Sequence, residues 1–364
     1  MSEPVLELRS ISKNFGENQA LDDVNLTVEH GSLIVLLGPA GAGKTTTLRI
    51  VAGLEAPSSG SIFIEGADFT KHQPNQRDIA MIFDNLALYP NKNGFENIAS
   101  PLRIAKTPKD EIDRRVHEMA GMLKIDHILE RTPATFSGGE RQRVALGRAM
   151  IRQPRFYLLD EPLSSLDFML RIDLRTELKR LQRETGQTFL FATPDYTEAM
   201  ALADTVCVLL DGKVRQIAKA QELYDEPVDR DVARFVGNPP INIIPARITR
   251  DNGTANISVG SMTMPLPAKM EHGLPSSASN VEIGLRPEHV RIVESGSDVI
   301  HLTGIVNDLE PLGMHTTVGL DLEGVNLFFT VEGVQEFKDG DKVDVHVDLE
   351  SLLFFDPETG RRIT

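Results

Sequence analysis

The sequence predicts an α/β layered domain with a mostly parallel sheet and a helical insert, followed by a small all-β domain. Three observations carry this expectation. Short apolar runs at residues 34–37, 79–83, 156–159 and 189–192 each end in a polar or glycine-rich turn, as strands of a parallel sheet do. Between the second and third runs, Thr107-Pro108-Lys109-Asp110 reads as a helix start, with Thr as cap, Pro in the first turn and Asp near the helix N-terminus. Ile112, Val116, Met119, Ala120 and Leu123 then fall on one helical face, the stripe of a packed helix. Third, the pattern changes after Gly237-Asn238-Pro239-Pro240. Short β-like runs at 242–248, 281–285, 304–306, 316–320, 326–331 and 342–347 suggest a small barrel or sandwich. The expected boundaries are 1–237, with a helical part at about 90–150, and 238–364.

Composition narrows the class. A chain of 364 residues with 41% hydrophobic and 25% charged residues suits two soluble globular domains. Its net charge of −15 argues against nonspecific nucleic-acid binding. The acidity is concentrated: residues 238–364 hold 9 Lys+Arg against 19 Asp+Glu. The single cysteine, Cys207, lies in the apolar run 206–210 and reads as a small buried hydrophobe in a reducing compartment. Glu3, Glu7 and Arg9 open the chain without an apolar stretch, so a secretory signal is not expected. No apolar run approaches the ~20 residues a membrane span requires.

The chemistry begins at Gly38-Pro39-Ala40-Gly41-Ala42-Gly43-Lys44-Thr45, which fits the phosphate-loop pattern G-x-x-x-x-G-K-[ST] at every defined position. A strand run precedes it, and residues 46–52, beginning with Thr46, can form a helix. Glycines let backbone amides turn inward on phosphate oxygens, Lys44 reaches the terminal phosphates, and the Thr45 hydroxyl can ligate Mg²⁺. An apolar strand ending in Asp160-Glu161 supplies the second element. Asp160 is placed to orient Mg²⁺ through its water shell, and Glu161 to polarise a water for in-line attack on a γ-phosphate. ATP and Mg²⁺ are thus the expected ligands.

Phe136-Ser137-Gly138-Gly139-Glu140-Arg141-Gln142 closely resembles the LSGGQ signature of ABC ATPases, with Phe for Leu and Glu for Gln. Ser137, Gly138, Gly139 and Glu140 at a helix start make a second anion-binding edge. The resemblance implies that this edge closes on ATP held by the opposite subunit. Ser164-Ser165-Leu166-Asp167 resembles the D-loop that communicates between sites, and Phe15 stands where the family's aromatic stacks on adenine. Ala87-Leu88-Tyr89-Pro90 is similar to the segment that meets the membrane partner's coupling helix. The resemblance covers essentially residues 5–235. In the tail, Asn238-Pro239-Pro240-Ile241-Asn242, Gly284-Leu285-Arg286-Pro287-Glu288-His289 and Phe355-Asp356-Pro357-Glu358-Thr359-Gly360 resemble the OB-like (TOBE or MOP-type) regulatory domain of maltose and glycerol-3-phosphate importer ATPases. The resemblance therefore implies an α/β P-loop ABC ATPase domain with a helical subdomain and an OB-like tail. It further implies an ATPase peripheral to the cytoplasmic face of a bacterial inner membrane, working with a second ATPase subunit, two permeases and a periplasmic solute-binding protein. Carbohydrate or polyol is the implied cargo.

Two positions depart from the family pattern. The Q-loop glutamine, which contacts Mg²⁺ and the attacking water, is replaced by Asp84; a carboxylate keeps a hard oxygen donor for metal but adds charge near the γ-phosphate. The switch histidine, which bonds the γ-phosphate, is replaced by Pro194, which has no side-chain donor and no backbone N–H. Losing one preorganised donor to developing charge costs ~10²–10³ in rate. Both losses fall on this chain's own site and spare its signature. The expectation is an asymmetric pair, in which this chain binds ATP, hydrolyses it poorly, and completes a competent site on a non-identical partner. A regulatory nucleotide sensor with little hydrolysis, and an ABC ATPase working off the membrane, are the alternatives.

Overall fold

The computed structural model describes residues 3–83, 86–164, 166–251, 254–260, 262–266, 274, 279–292, 299–333, 337–348 and 351–363. The chain divides into two compact units, Met1–Gln221 and Glu222–Thr364.

In the first unit β1 (Leu6–Phe15) and β2 (Asn18–Val28) form an antiparallel hairpin. Their buried positions largely alternate with exposed ones, so neither carries the continuous apolar run that marks the parallel strands. β3 (Leu33–Leu37) leads into α1 (Lys44–Ala52), and β4 (Ser59–Ile64) and β5 (Ala67–Asp68) complete a four-stranded antiparallel sheet of order β2-β1-β4-β5. β6 (Ile79–Ile82) is followed by the helices α2 (Gly94–Ile104), α3 (Lys109–Leu123) and α4 (Gly138–Met150). Then come β7 (Phe156–Asp160), α5 (Phe168–Thr185), β8 (Phe189–Thr193), α6 (Tyr196–Leu202), β9 (Thr205–Leu210) and β10 (Lys213–Ala218). The second sheet has the order β10-β9-β3-β8-β7-β6 and is parallel except for β10 at its edge.

The four apolar runs read from the sequence are the four strands β3, β6, β7 and β8; β3, β7 and β8 are buried throughout, while β6, at the sheet edge, alternates half-buried and buried residues. The α3 start differs by a residue from its sequence reading. Pro108 occupies the cap position and Thr107 makes no capping bond, while Asp110 and Glu111 supply the acidic first turn. Ile112, Val116, Ala120 and Leu123 are buried, as the stripe requires. Cys207 is fully buried, and burial pushes its thiol up to about 12.

Helix α1 lies in the core formed with both sheets: Leu48, Ile50 and Val51 pack with Leu6, Leu21 and Ile62 and with Phe156 and Leu190. Amides after its end meet two of its last carbonyls, with Gly53 N on Ile50 O at 3.1 Å and Leu54 N on Arg49 O at 2.9 Å, which leaves the buried Val51 carbonyl to be met by a side chain. Arg77, 1% exposed, is that side chain: its Nη1 donates to the carbonyls of Ile50 (2.9 Å) and Val51 (2.8 Å), and its Nε and Nη2 to that of His72 (3.0 and 2.9 Å). Arg77 has no carboxylate partner among the described residues, and burial holds its basicity below the usual guanidinium range. The helix dipole supplies the compensating charge.

In the second unit α7 (Ala220–Asp225), which spans the division, and α8 (Arg230–Phe235) precede β11 (Asn242–Asp251), β12 (Thr254–Val259), β13 (Met262–Pro265), β14 (Ser279–Leu285), β15 (Val290–Arg291), β16 (Val299–Pro311), β17 (His315–Leu322), β18 (Val325–Glu332), β19 (Lys342–Asp348) and β20 (Leu353–Phe355). They form two antiparallel sheets, β13-β12-β11-β14-β20 and β15-β19-β16-β17-β18, around one shared core. The unit begins before the Gly237–Pro240 break read from the sequence because α8 is anchored to it. Arg286 donates to the carbonyls of Tyr224, Ala233 and Val236 and stacks on the Tyr224 ring at 4.0 Å, and Arg230 pairs with Glu282 at 2.6 Å.

Arg77→Met should destabilise the first unit by about 2 kcal/mol, because it leaves the buried Val51 carbonyl without its donor. Chemical denaturation of the two proteins side by side measures this, and an unchanged midpoint would assign Arg77 no such role.

Candidate nucleotide site

The loop between β3 and α1 is shaped by backbone geometry. Gly43 has φ of 103°, and a Cβ there would stand 2.5 Å from Leu21 Cδ2 and 2.8 Å from the carbonyl of Ala20. Only glycine fits both the angle and the space. Gly43 occupies the cap position of α1 without a side-chain capping bond, so the first amides of the helix are available to an anion. Gly38 N donates to the carbonyl of Thr193 at 3.3 Å, and Ala42 N to that of Pro39 at 3.2 Å.

Lys44 is 3% exposed. Its ammonium donates to the carbonyls of Gly38 (2.8 Å) and Pro39 (3.0 Å) and lies 3.3 Å from Glu161 Oε1. The Thr45 hydroxyl donates to Asp160 Oδ1 at 3.0 Å. Asp160 is buried at the end of β7; Glu161, one residue beyond, sits at φ 45°, with its N–H on the carbonyl of Ala192. The two carboxylates therefore point from adjacent positions toward the head of α1. Thr45 and Asp160 offer the hard oxygens that Mg²⁺ selects, directly or through water, which fits the donor chemistry of that ion.

A cavity of about 640 Å³ opens over these groups. Of the candidate residues read from the sequence, Phe15, Ala40, Gly41, Gly43, Lys44, Thr45, Thr46 and Glu161 line it, while Gly38, Pro39, Ala42 and Asp160 do not border it. Asn18, Gln19, Ala20, Asp211 and Gly212 line it as well, unsignalled because they come from strand ends and turns that carry no motif. The Phe15 ring is half-exposed, with Lys13 Nζ 4.7 Å from its centroid. The signature residues do not border this cavity. Ser137 caps α4, its hydroxyl accepting from Glu140 N at 3.2 Å, while Glu140 Oε2 accepts from Ser137 N at 2.7 Å. Leu170, on the helix that Asp167 caps, packs so close to Gly139 that a Cβ there would lie 3.1 Å from it.

Two arginines absent from the sequence reading tie these segments together. Arg171 donates to the carbonyl of Leu166 beside Asp167 and pairs with Asp195 Oδ2, both at 3.3 Å. Arg148, from α4, donates to the carbonyls of Leu86 and Ala87 at 2.8 and 2.7 Å. Leu86 and Ala87 both have positive φ. At the switch, the Thr193 hydroxyl donates to Glu198 Oε2 at 2.7 Å and accepts from Asp195 N at 3.0 Å, and burial raises the Glu198 carboxyl above its ordinary range. Pro194 is exposed between Thr193 and Asp195. Asp84 and Ser165 lie outside the described residues. No described helix is long and apolar enough to cross a membrane.

Residues 21–164 match the ABC transporter family, 237–290 the MalK OB fold domain and 283–355 the TOBE domain. The chain is 40% identical over 358 residues to the sn-glycerol-3-phosphate import ATP-binding protein UgpC of Paracoccus denitrificans, covering 98% of each chain. The chain belongs to the ABC transporter ATP-binding family. It is also 39% identical to the trehalose/maltose import ATP-binding protein MalK of Thermococcus litoralis, over 98% of this chain and 99% of that one. Among solved structures, the ATP-binding cassette MJ0796, a dimer bound to ADP and Pi, is 30% identical over 59% of this chain and 98% of its own, with a TM-score of 0.54. The first unit is thus an ABC ATPase fold and the second an OB-fold and TOBE domain.

If Phe15 stacks on the base, Phe15→Ala should weaken ATP binding about tenfold. Lys44→Ala should weaken it about a hundredfold by removing a charge-assisted phosphate contact. Calorimetric titration with a non-hydrolysable analogue reads both.

Proposed function

We propose that this chain is the ATP-binding subunit that powers import of a carbohydrate or polyol, in the class of sugars, glycerol and glycerol phosphates, as one member of an asymmetric ATPase pair. Relatives named for sn-glycerol-3-phosphate and for trehalose/maltose import, each matched along nearly its whole length, support the cargo class. In this reading two permeases and a periplasmic solute-binding protein complete the machine, and the chain docks peripherally at the cytoplasmic face of the membrane.

Within the site, Lys44 and the loop amides hold the β- and γ-phosphates, and Phe15 stacks on adenine. Mg²⁺, held through Thr45 and Asp160, would supply charge neutralisation at the phosphates. Glu161 orients and polarises the attacking water. Ser137, Gly138, Gly139 and Glu140 serve the ATP of the opposite subunit, with Asp167 linking the two sites.

The observation that carries the asymmetry is the place of Pro194. Thr193, which precedes it, is paired in register with Leu37, and its carbonyl accepts from Gly38 N at the start of the phosphate loop. In this reading residue 194 stands where a donor to the γ-phosphate is wanted, and a proline cannot replace that donor with backbone. Asp84 is part of the same reading, as a metal-contacting but charge-altering substitute for glutamine.

In the assembled transporter Gly139→Asp should abolish transport, because it spoils the edge offered to the partner's ATP. Glu161→Gln should do much less harm, since it strikes a site already slow. Equal loss from both substitutions would overturn the asymmetric reading, as would a functional complex holding two copies of this chain and no second ATPase. Pro194→His should raise ATP turnover about tenfold or more by restoring a donor to the γ-phosphate. Steady-state hydrolysis by the same complex measures it.

A further inference from the structure

The family pattern places a neutral glutamine where this chain has Glu140, the third residue of α4. A carboxylate at that position stabilises the helix start through the capping box with Ser137. It also sets a negative charge on the edge whose amides are meant to attract phosphate, and so works against the purpose of that edge. Two basic side chains stand against the carboxylate. His127 Nε2 lies 3.1 Å and Arg131 Nη1 3.7 Å from Glu140 Oε1. Both come from the connection between α3 and α4, where no motif read from the sequence lies. Arg131 is held in place by Thr135, whose hydroxyl and carbonyl accept from its Nε and Nη2, and Thr135 is in turn held by a bond from its hydroxyl to the carbonyl of Thr132 at 2.8 Å.

The side chains of His127 and Arg131 are 64% and 44% exposed. Ion pairs that open to solvent add little stability, so their convergence on one oxygen is better explained by the field they set at the helix end. The other carboxylate oxygen is taken by Ser137 N. That backbone bond is the main reason the Glu140 carboxyl is held below its ordinary range, with His127 and Arg131 contributing less. The carboxylate is thus ionised at neutral pH and its charge has to be offset.

We propose that Arg131, through its charge, and His127, through its hydrogen bond to the same oxygen, are positioning residues of the signature edge, which offset the charge of Glu140 so that the amides of α4 can still donate to a phosphate. The arrangement exchanges a neutral amide for a carboxylate with its own guanidinium counter-charge and an imidazole partner. This rests on the reading that the edge closes on a nucleotide held by another subunit, and it holds for a like or an unlike partner.

A double-mutant cycle on ATP turnover by the assembled transporter tests it. His127→Ala combined with Arg131→Gln should raise KM for ATP about fivefold, the size expected for charges at a helix terminus, and leave kcat within about twofold. In the Glu140→Gln background the same pair of substitutions should change KM less than about twofold, because no charge is left to offset. Arg131→Lys, which keeps the charge, should retain a KM near that of the parent. Equal rises in both backgrounds would mark a structural role and overturn the proposal, and so would no rise in the parent. Thermal melting of each variant separates misfolding from a change at the edge: a KM rise that tracks a fallen melting temperature in both backgrounds counts as overturning. Failure of the edge itself is scored separately, by a Gly139→Asp variant that transports normally.

Discussion

Helix α1 is served by different chemistry at its two ends. At its start, amides emerge from a glycine-shaped loop with no side-chain cap, free to meet phosphate oxygens. At its finish, carbonyls buried between two sheets are met by the guanidinium of Arg77. The two ends depend on one another electrostatically, since the dipole that draws an anion to one end draws a cation to the other. Arg77 also immediately precedes Asp78 and β6, so the strand that leads toward the Q-loop position starts from a residue fastened to the phosphate helix. The six-stranded sheet, in turn, sets Asp160 and Glu161 opposite the head of α1 by parallel pairing of β7 with β8 and of β8 with β3.

The remaining parts of the site are joined by arginines bonded to backbone carbonyls. Arg148 connects the signature helix to the segment just after β6, and Arg171 connects the D-loop to the switch. Arg148, and Arg171 at Leu166, fix where the chain runs through its backbone, whereas the other end of Arg171 rests on the Asp195 carboxylate. That explains how the switch keeps its course although proline stands in it: Thr193 and Asp195 hold the turn through Glu198 and Arg171, and residue 194 makes no bond that the turn needs.

Much of this was legible in the sequence because the signals are local. The phosphate loop, the Asp160–Glu161 pair and the Ser137–Glu140 cap are contiguous residues whose spacing states their geometry. The buried parallel strands are continuous apolar runs for the same reason. What escaped is non-local. β1 and β2 show only alternation, Asp211 and Gly212 reach the cavity through strand pairing, and Arg77 and Arg148 meet carbonyls 26 and 62 residues away in sequence. The start of the second unit escaped too. Proline and glycine mark a break at 237–240, but the tether of α8 to Arg286 and Glu282 is visible only in three dimensions.

The contact between Lys44 and Glu161 has a consequence for timing. One ammonium has two anionic claimants, the carboxylate beside it in this structure and the phosphate chain of a nucleotide. The lysine cannot serve both fully, so a phosphate entering the cavity would compete with the carboxylate for it. The ion pair thus sets an order of events: an anion must draw the ammonium away before the Glu161 carboxylate stands free of it.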